Sequence, residues 1–203
     1  MDYPFFATVS RMKYIERWAL MRNSRAENLS EHSLEVAMLS HALCTLGNVR
    51  LGKQLNAEKA ALIGLYHDAA EIITGDLPTP VKYGSDSLRK AYHSVETVAV
   101  EQLLQKLPDD LQSVYRTLFY DSEEEKYLRQ LVKAADKLSA YIKCLEEEES
   151  GNREFRSAKE STWQTLCSMR RELPELAMFI TDFLGAYGRT LDELTTAETE
   201  GEE

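Results

Sequence analysis

Cysteine is scarce in this chain. Cys44, Cys144 and Cys167 are an odd number, widely spaced, with no CxxC pair. That excludes a disulfide framework and suits free thiols in a reducing cytosol. Long apolar runs are missing too, and nothing approaches the ~18 residues of a membrane span. Asp2 stands where a basic start would precede an apolar run, so no signal peptide is expected and a cytoplasmic location is. Positive charge is in deficit: 24 Lys and Arg face 34 Asp and Glu, a net charge of −10. A nucleic-acid polymer demands a basic stripe, so such a partner is not expected. An acidic protein can still hold a small phosphate ester through a metal and one or two local cations. Internal repeats, strand-hairpin signals and linkers are also absent. The expectation is one all-α domain of six to eight helices over residues 1–192, followed by an acidic, unstructured tail over 193–203.

What is present is helical periodicity. Phe5, Phe6, Val9, Met12, Ile15 and Leu20 predict an amphipathic opening helix from Tyr3 to Arg22, with Arg17 and Trp18 in its later half. Asn28 with Glu31 three residues on resembles a capping box, so a second helix is expected from Leu29 to Gly47-Asn48. His32, Val36, Leu39, Leu43 and Leu46 form its inward stripe. Asn56 can cap a third helix running from Ala57 to Ile73, stopped by Gly75, Pro78 and Pro80. Leu88, Tyr92, Val95, Ala99 and Leu103 mark a fourth, from Ser85 to Leu107, and Pro108 opens a short piece through Leu118. Ser122 caps a helix whose apolar face is Leu128, Val132, Ala135, Ser139 and Ile142. Glu146 to Glu149 read as its solvated end. Two further helices follow, Phe155 to Arg171 and Pro174 to Tyr187.

The chemistry concentrates in Leu65 to Tyr83. His67 and Asp68 are adjacent, and Glu71 follows one helical turn later on the same face. An imidazole and a carboxylate on consecutive residues can reach one divalent cation, but two ligands hold a catalytic metal poorly. At least one more His and one more carboxylate are needed. His32 and Asp136 are available, although each has an ordinary alternative. A histidine on an apolar stripe can be a satisfied core residue. An aspartate in mid-helix can be solvated beside Lys133 or Lys137.

The ordered pattern H…HD…D defines the HD superfamily of metal-dependent phosphohydrolases. The words around it, RWALMRNSRAENLSEHSLEVAMLSHAL, YHDAAEIITGDLPTPVKY, KAADKLSAYIKCLEE and GNREF, resemble the bacterial 5′-deoxynucleotidases of the YfbR type. The resemblance runs from Phe5 to about Asp192. It implies hydrolysis of deoxyribonucleoside 5′-monophosphates (dNMPs) to deoxyribonucleoside and phosphate by a homodimer. His32, His67, Asp68 and Asp136 would hold one divalent ion per subunit, Co²⁺ in assays, with Mn²⁺ or Zn²⁺ as other candidates. Arg17 would orient the phosphate and Glu71 would act as general acid/base. Trp18 would pack near the sugar, and Asp76, Leu77, Pro78 and Thr79 would line the nucleoside side. His32, Asp68 and Asp136 would also meet substrate. Two alternatives stand beside this reading. One is an HD-domain hydrolase of deoxynucleoside triphosphates or guanosine tetraphosphate; the other is a non-catalytic helical metal-binding adaptor.

Overall fold

The computed structural model describes residues 2–77 and 85–196. The architecture is all-α: helices α1 (Phe5–Val9), α2 (Leu29–Leu51), α3 (Ala57–Tyr66), α4 (Glu71–Thr74), α5 (Asp86–Leu104), α6 (Asp109–Phe119), α7 (Lys126–Glu149), α8 (Arg156–Met169), α9 (Pro174–Asp182) and α10 (Leu191–Thr196). The sheet among the described residues is a single two-stranded antiparallel ribbon, β1 (Glu16–Arg17) with β2 (Glu27–Asn28).

α2 is the central helix. The Asn28 side chain accepts from the backbone N–H groups of Ser30 and Glu31 at 3.0 and 3.1 Å, and the Glu31 carboxylate accepts from Asn28 N–H at 3.2 Å. A cap of this kind is worth about 1 kcal/mol and fixes the start of the helix. The stripe from His32 to Leu46 is buried as its spacing predicts. The helix does not stop at Gly47-Asn48. It continues to Leu51 and ends on the left-handed Gly52 (φ 64°). Gly47 is instead a point of close approach, where a Cβ would lie 2.7 Å from the Glu175 carboxylate.

α3 crosses α2 closely because Gly64 has no side chain: a Cβ there would lie 2.9 Å from Ala37 Cα. The larger core fills the space between α2, α3, α7, α8 and α9 with Val36, Leu43, Ile63, Leu131, Leu138, Leu166 and Leu176 among others. A smaller one joins Phe5, Met12, Leu29, Ala69, Leu103, Leu104 and Leu107. His32 lies between Leu29 of the small core and Val36 of the large one. Asp68 adjoins Ala69 and Asp136 adjoins Ala135. The polar residues of interest therefore sit at the seam between two apolar clusters.

The structure corrects five further expectations. The opening helix ends at Val9, continues as a 3₁₀ turn over Ser10–Tyr14, and gives way to β1. Arg17 and Trp18 thus lie on the ribbon and the turn after it, because both reach one carboxylate on β2: Glu27 accepts from Arg17 Nη1 and from Trp18 Nε1, each at 3.1 Å. The third helix breaks at Tyr66, and His67 to Ala70 form a tight turn before α4. Its backbone bonds run over three residues, from Ala69 N to Tyr66 O at 3.0 Å and from Glu71 N to Asp68 O at 2.9 Å. Three residues per turn bring i and i+3 into eclipse, so Glu71 still follows Asp68 on one side.

On α5, Ala99 and Leu103 are buried, but Leu88 and Val95 are exposed. The first half of that helix stands away from the cores. At the C-terminal end, α10 continues through Thr196, into the stretch expected to be unstructured. Thr190 and Glu193 cap each other there, Thr190 N–H to Glu193 Oε2 at 2.8 Å and Glu193 N–H to Thr190 Oγ1 at 3.3 Å.

The fifth correction concerns Glu147, expected to be solvated and found 1% exposed. Its carboxylate accepts from Ser24 N–H at 2.8 Å, from Asn152 Nδ2 at 2.7 Å and from Lys143 Nζ, while Lys143 Nζ also donates to Arg25 O at 2.6 Å. This buried pair ties the loop between the two strands to α7. Burial alone would push the Glu147 carboxyl up, but Lys143 and the Ser24 N–H outweigh it and hold it down at about 2. Its contribution to stability is therefore present above the ordinary value of 4.5 and is lost as pH falls towards about 2. Glu147→Gln should cost about 3–5 kcal/mol at neutral pH by leaving Lys143 buried and unpaired. Urea unfolding between pH 7 and pH 3 should show the gap between parent and variant narrowing on the acid side. A small, pH-independent gap would contradict the account.

Candidate metal centre and active site

Three elements bring the charged groups together. α2 supplies His32 from its first turn, the tight turn after α3 supplies His67 and Asp68, and α7 supplies Asp136. His32 Nε2 lies 3.3 Å from Asp136 Oδ1 and 3.6 Å from Asp68 Oδ2, and His67 Nε2 lies 3.1 Å from Asp68 Oδ2. The donor atoms of His32, His67 and Asp68 all fall within 4.8 Å of one another, and Asp136 joins them through His32.

The protonation pattern fits a cation. His67 Nδ1 sits 2.7 Å from Gly64 O. A carbonyl only accepts, so Nδ1 carries the proton and Nε2 presents a lone pair in the neutral ring. Both Nε2 atoms are buried without a hydrogen bond among the described residues, each aimed at a carboxylate. Burial and then the Arg17 charge lower the His32 pKa and keep that ring neutral. Burial pulls His67 down as well, but Asp68, with Asp136 adding, raises it to about 9, so an ion bound at Nε2 would displace a proton from that nitrogen. Asp68 and Asp136 remain anionic although burial opposes it; His67 outweighs that cost for Asp68, and Lys137 then His32 for Asp136. Two imidazole nitrogens and two carboxylates converging in a protected place make a donor set suited to a first-row divalent ion. Asp136 also pairs with Lys137 at 2.9 Å, so the ordinary contact and the site contact coexist.

Beside this cluster opens a cavity of about 490 Å³, within the ~300–1,000 Å³ usual for small-molecule sites. Arg17, Asp68, Glu71, Asp76, Leu77, Asp136 and Lys137 line it, with Arg89, Lys90, Tyr92, His93 and Glu96 of α5 forming the outer wall. The first half of α5, which stands off the cores, forms this wall. Arg17 is anchored by Glu27, and one of its Nη1 contacts is His32 Nδ1 at 2.8 Å. Burial disfavours its charge, but Glu27, then Asp136, Asp68 and Asp76, raise its pKa. Glu71 is 3% exposed and faces the same cavity.

Trp18 is not part of the wall among the described residues. It adopts φ 58°, packs edge-on against Phe155 at 5.3 Å and lies beside Arg17. Pro78 and Thr79 fall outside the described residues. Sequence reasoning missed Glu27, whose role appears only once two strands pair. It also missed the α5 wall, where Arg89, Lys90, His93 and Glu96 look like an ordinary solvated face.

A helical fold that gathers His, His-Asp and Asp at one seam is the HD-domain phosphohydrolase fold. A chain described as an HD-domain phosphohydrolase from Listeria innocua superposes with a TM-score of 0.79 at 23% identity, covering 96% of each chain. An HD phosphohydrolase of cyanophage S-2L, determined with dA and one catalytic Zn²⁺ ion, superposes with a TM-score of 0.63 at 20% identity, covering 89% of this chain and 96% of that one. The closer assignment comes from sequence: residues 4–187 match the model of the 5′-deoxynucleotidase YfbR-like family, and the chain belongs to that family. A relative from Citrobacter koseri named 5′-deoxynucleotidase is 47% identical over 194 residues, 94% of this chain and 95% of that one. A Yersinia pestis relative of the same name is 48% identical over 194 residues, covering 94% and 96%.

Proposed function

We propose that this protein is a metal-dependent 5′-deoxynucleotidase that hydrolyses deoxyribonucleoside 5′-monophosphates to deoxyribonucleoside and phosphate. The observation that carries the reading is a pair of buried histidine Nε2 atoms without hydrogen bonds among the described residues, aimed at two carboxylates, beside a buried cationic Arg17 in a nucleotide-sized cavity. His32, His67, Asp68 and Asp136 would hold one divalent ion per subunit. That ion supplies positive charge against the phosphoryl oxygens and acidifies water towards neutral pH. Co²⁺, Mn²⁺ and Zn²⁺ are the ions to compare. The catalytic unit is proposed to span residues 1–192 and to act as a cytoplasmic homodimer.

The chain's own groups account for the rest. Arg17, fixed by Glu27, presents donors to the phosphate and matches the charge spread over its equatorial oxygens. Arg17, Arg89, Lys90 and Lys137 set four cations against the five carboxylates of the cavity lining, and a bound divalent ion would tip that balance towards an anionic substrate. Glu71 takes the proton from the attacking water as the new P–O bond forms. It returns a proton to O5′ as the P–O5′ bond breaks, so the carboxylate is regenerated. Asp76 and Leu77 face the nucleoside, and Pro78 and Thr79 continue that wall in the proposal. Asp76 reaches the cavity because Gly75 (φ 75°) ends α4 and turns the chain into it.

Selectivity is assigned to Trp18, acting beside Arg17 rather than along a shared helix. Once the phosphate is held by Arg17, the position of C2′ follows, and Trp18, which lies outside the described wall, would set that position through Glu27, the carboxylate that holds both its indole and Arg17. Discrimination of dAMP over AMP by ~10²-fold is the scale that exclusion of a 2′-hydroxyl reaches. Phosphate release from dNMP, NMP, dNTP and 3′-dNMP panels with several divalent ions tests the whole reading. Preferential turnover of the 5′-dNMPs is expected, with base tolerance. Faster release from dNTPs would replace it with the triphosphohydrolase alternative. Trp18→Ala should raise AMP turnover relative to dAMP, and Arg17→Ala should damage both alike. Equal kcat/KM for AMP and dAMP in the parent enzyme would remove the role given to Trp18.

A further inference from the structure

His32 differs from His67 in what its second nitrogen meets. His32 Nδ1 lies 2.9 Å from Ser139 Oγ, and Ser139 Oγ donates to Glu35 Oε2 at 2.5 Å. Ser139 is fully buried, and His32 is too. The three residues belong to the two helices that carry ligands: His32 and Glu35 are one turn apart on α2, and Asp136 and Ser139 are one turn apart on α7. The same helix crossing that brings His32 to Asp136 thus brings Ser139 to His32.

The hydroxyl has one proton, and Glu35 takes it. The oxygen then faces Nδ1 with lone pairs only, so it requires a proton on Nδ1 and leaves Nε2 bare. Arg17 Nη1, 2.8 Å from the same nitrogen, makes the opposite demand, since a guanidinium can only donate. The two claims cannot both be met. Arg17 has a second partner in Glu27 and borders an open cavity, whereas Ser139 is buried with its proton already committed.

Resting on the ligand assignment above, we propose that Ser139 and Glu35 are positioning residues that set the His32 tautomer, with the proton on Nδ1 and Nε2 turned to the ion. When Nδ1 carries the proton, Arg17 is displaced from it and its Nη1 donor is released towards the phosphate. Occupation of the ligand cluster and binding of phosphate then reinforce each other. His67 uses a backbone carbonyl for the same purpose, which no substitution can remove; His32 uses a side-chain relay, which one can.

The test reads metal affinity rather than turnover. Zn²⁺ affinity is measured by chelator competition on the full chain for the parent, Ser139→Ala, Glu35→Ala and His32→Ala, alongside the thermal midpoint of each metal-free protein. Ser139→Ala and Glu35→Ala are expected to weaken Zn²⁺ by ~10–100-fold, the usual cost of losing such a partner. Long-range ¹H–¹⁵N correlation should find the His32 proton on Nδ1 in the Zn²⁺-loaded parent. If His32→Ala loses the ion while Ser139→Ala and Glu35→Ala bind as the parent does, with unchanged midpoints, the relay is overturned and the ligand assignment stands. A proton on Nε2 in the loaded parent overturns the relay as well. If His32→Ala binds Zn²⁺ as the parent does, the ligand assignment itself fails, and the relay with it. Should Ser139→Ala lower the midpoint, Ser139→Thr, which keeps the hydroxyl, is expected to recover the parent's Zn²⁺ affinity; failure to do so would count against the relay.

Discussion

Asp136→Ala and His67→Ala are expected to lose the bound ion and, with it, phosphate release from dAMP. The cluster offers four ligand groups, and among the described residues no second group of donor atoms gathers closely enough to hold another ion, so one ion per chain is the expected stoichiometry. Removing His67 takes away the nitrogen whose lone pair is fixed by Gly64 O, and among the described residues the donor group then keeps only His32 as an imidazole. Removing Asp136 leaves His32 Nε2 facing only Asp68 at 3.6 Å. Each loss should exceed the ~10–100-fold that an outer partner costs. Metal analysis after gel filtration, paired with dAMP turnover, checks both. Full activity with two ions per chain would overturn the single-ion site, and a variant that keeps its ion would remove that residue from the ligand set.

Two of the four proposed ligand positions, His32 and Asp136, were legible because they lie on helices whose burial follows from period alone. The stripes His32–Leu46 on α2 and Leu128–Ile142 on α7 are buried as written, so His32 and Ser139 had to face inward, with Asp136 at the edge. The capping box made the first turn of α2 predictable to the residue. What escaped the pattern depends on partners far away in sequence. Glu27 gathers Arg17 and Trp18 into a ribbon in a stretch whose apolar spacing reads as helix. His67 bonds back to Gly64 O where the chain tightens, and spacing alone does not announce the break between α3 and α4. Glu147 looks like one of four solvated glutamates until the Ser24 and Arg25 loop closes over it. Leu88 and Val95 keep a helical period yet are exposed, on the half of α5 that borders the cavity through Arg89, Tyr92 and Glu96 instead of joining a core. The H…HD…D order and its surrounding words pointed to the family more firmly than any of these local patterns.

Glu71→Gln and Glu71→Ala should separate proton transfer from metal binding. Glu71 follows Asp68 by three residues through a tight turn, and the Glu71 N–H to Asp68 O bond at 2.9 Å locks that relation. Its carboxylate is nearly enclosed on the wall of the cavity that Asp68 and Asp136 also line, and it is not part of the donor group of His32, His67 and Asp68. A base placed there can reach water near the phosphate without belonging to the donor cluster. Both variants should keep one ion per chain and still bind dAMP, because Arg17 and the ligands are untouched. Turnover should fall by the ~10²–10⁴-fold that a general acid/base residue contributes. The loss should appear in kcat, with KM little changed, because the proton moves only as bonds to phosphorus form and break. Gln is the sharper of the two substitutions: it keeps the volume and a hydrogen-bonding oxygen but cannot take the proton. If Glu71→Gln instead came free of metal, Glu71 would be a ligand and another group would have to handle the proton. If it turned over dAMP at the parent rate with its ion in place, Glu71 would be a wall residue and the acid/base role would fall.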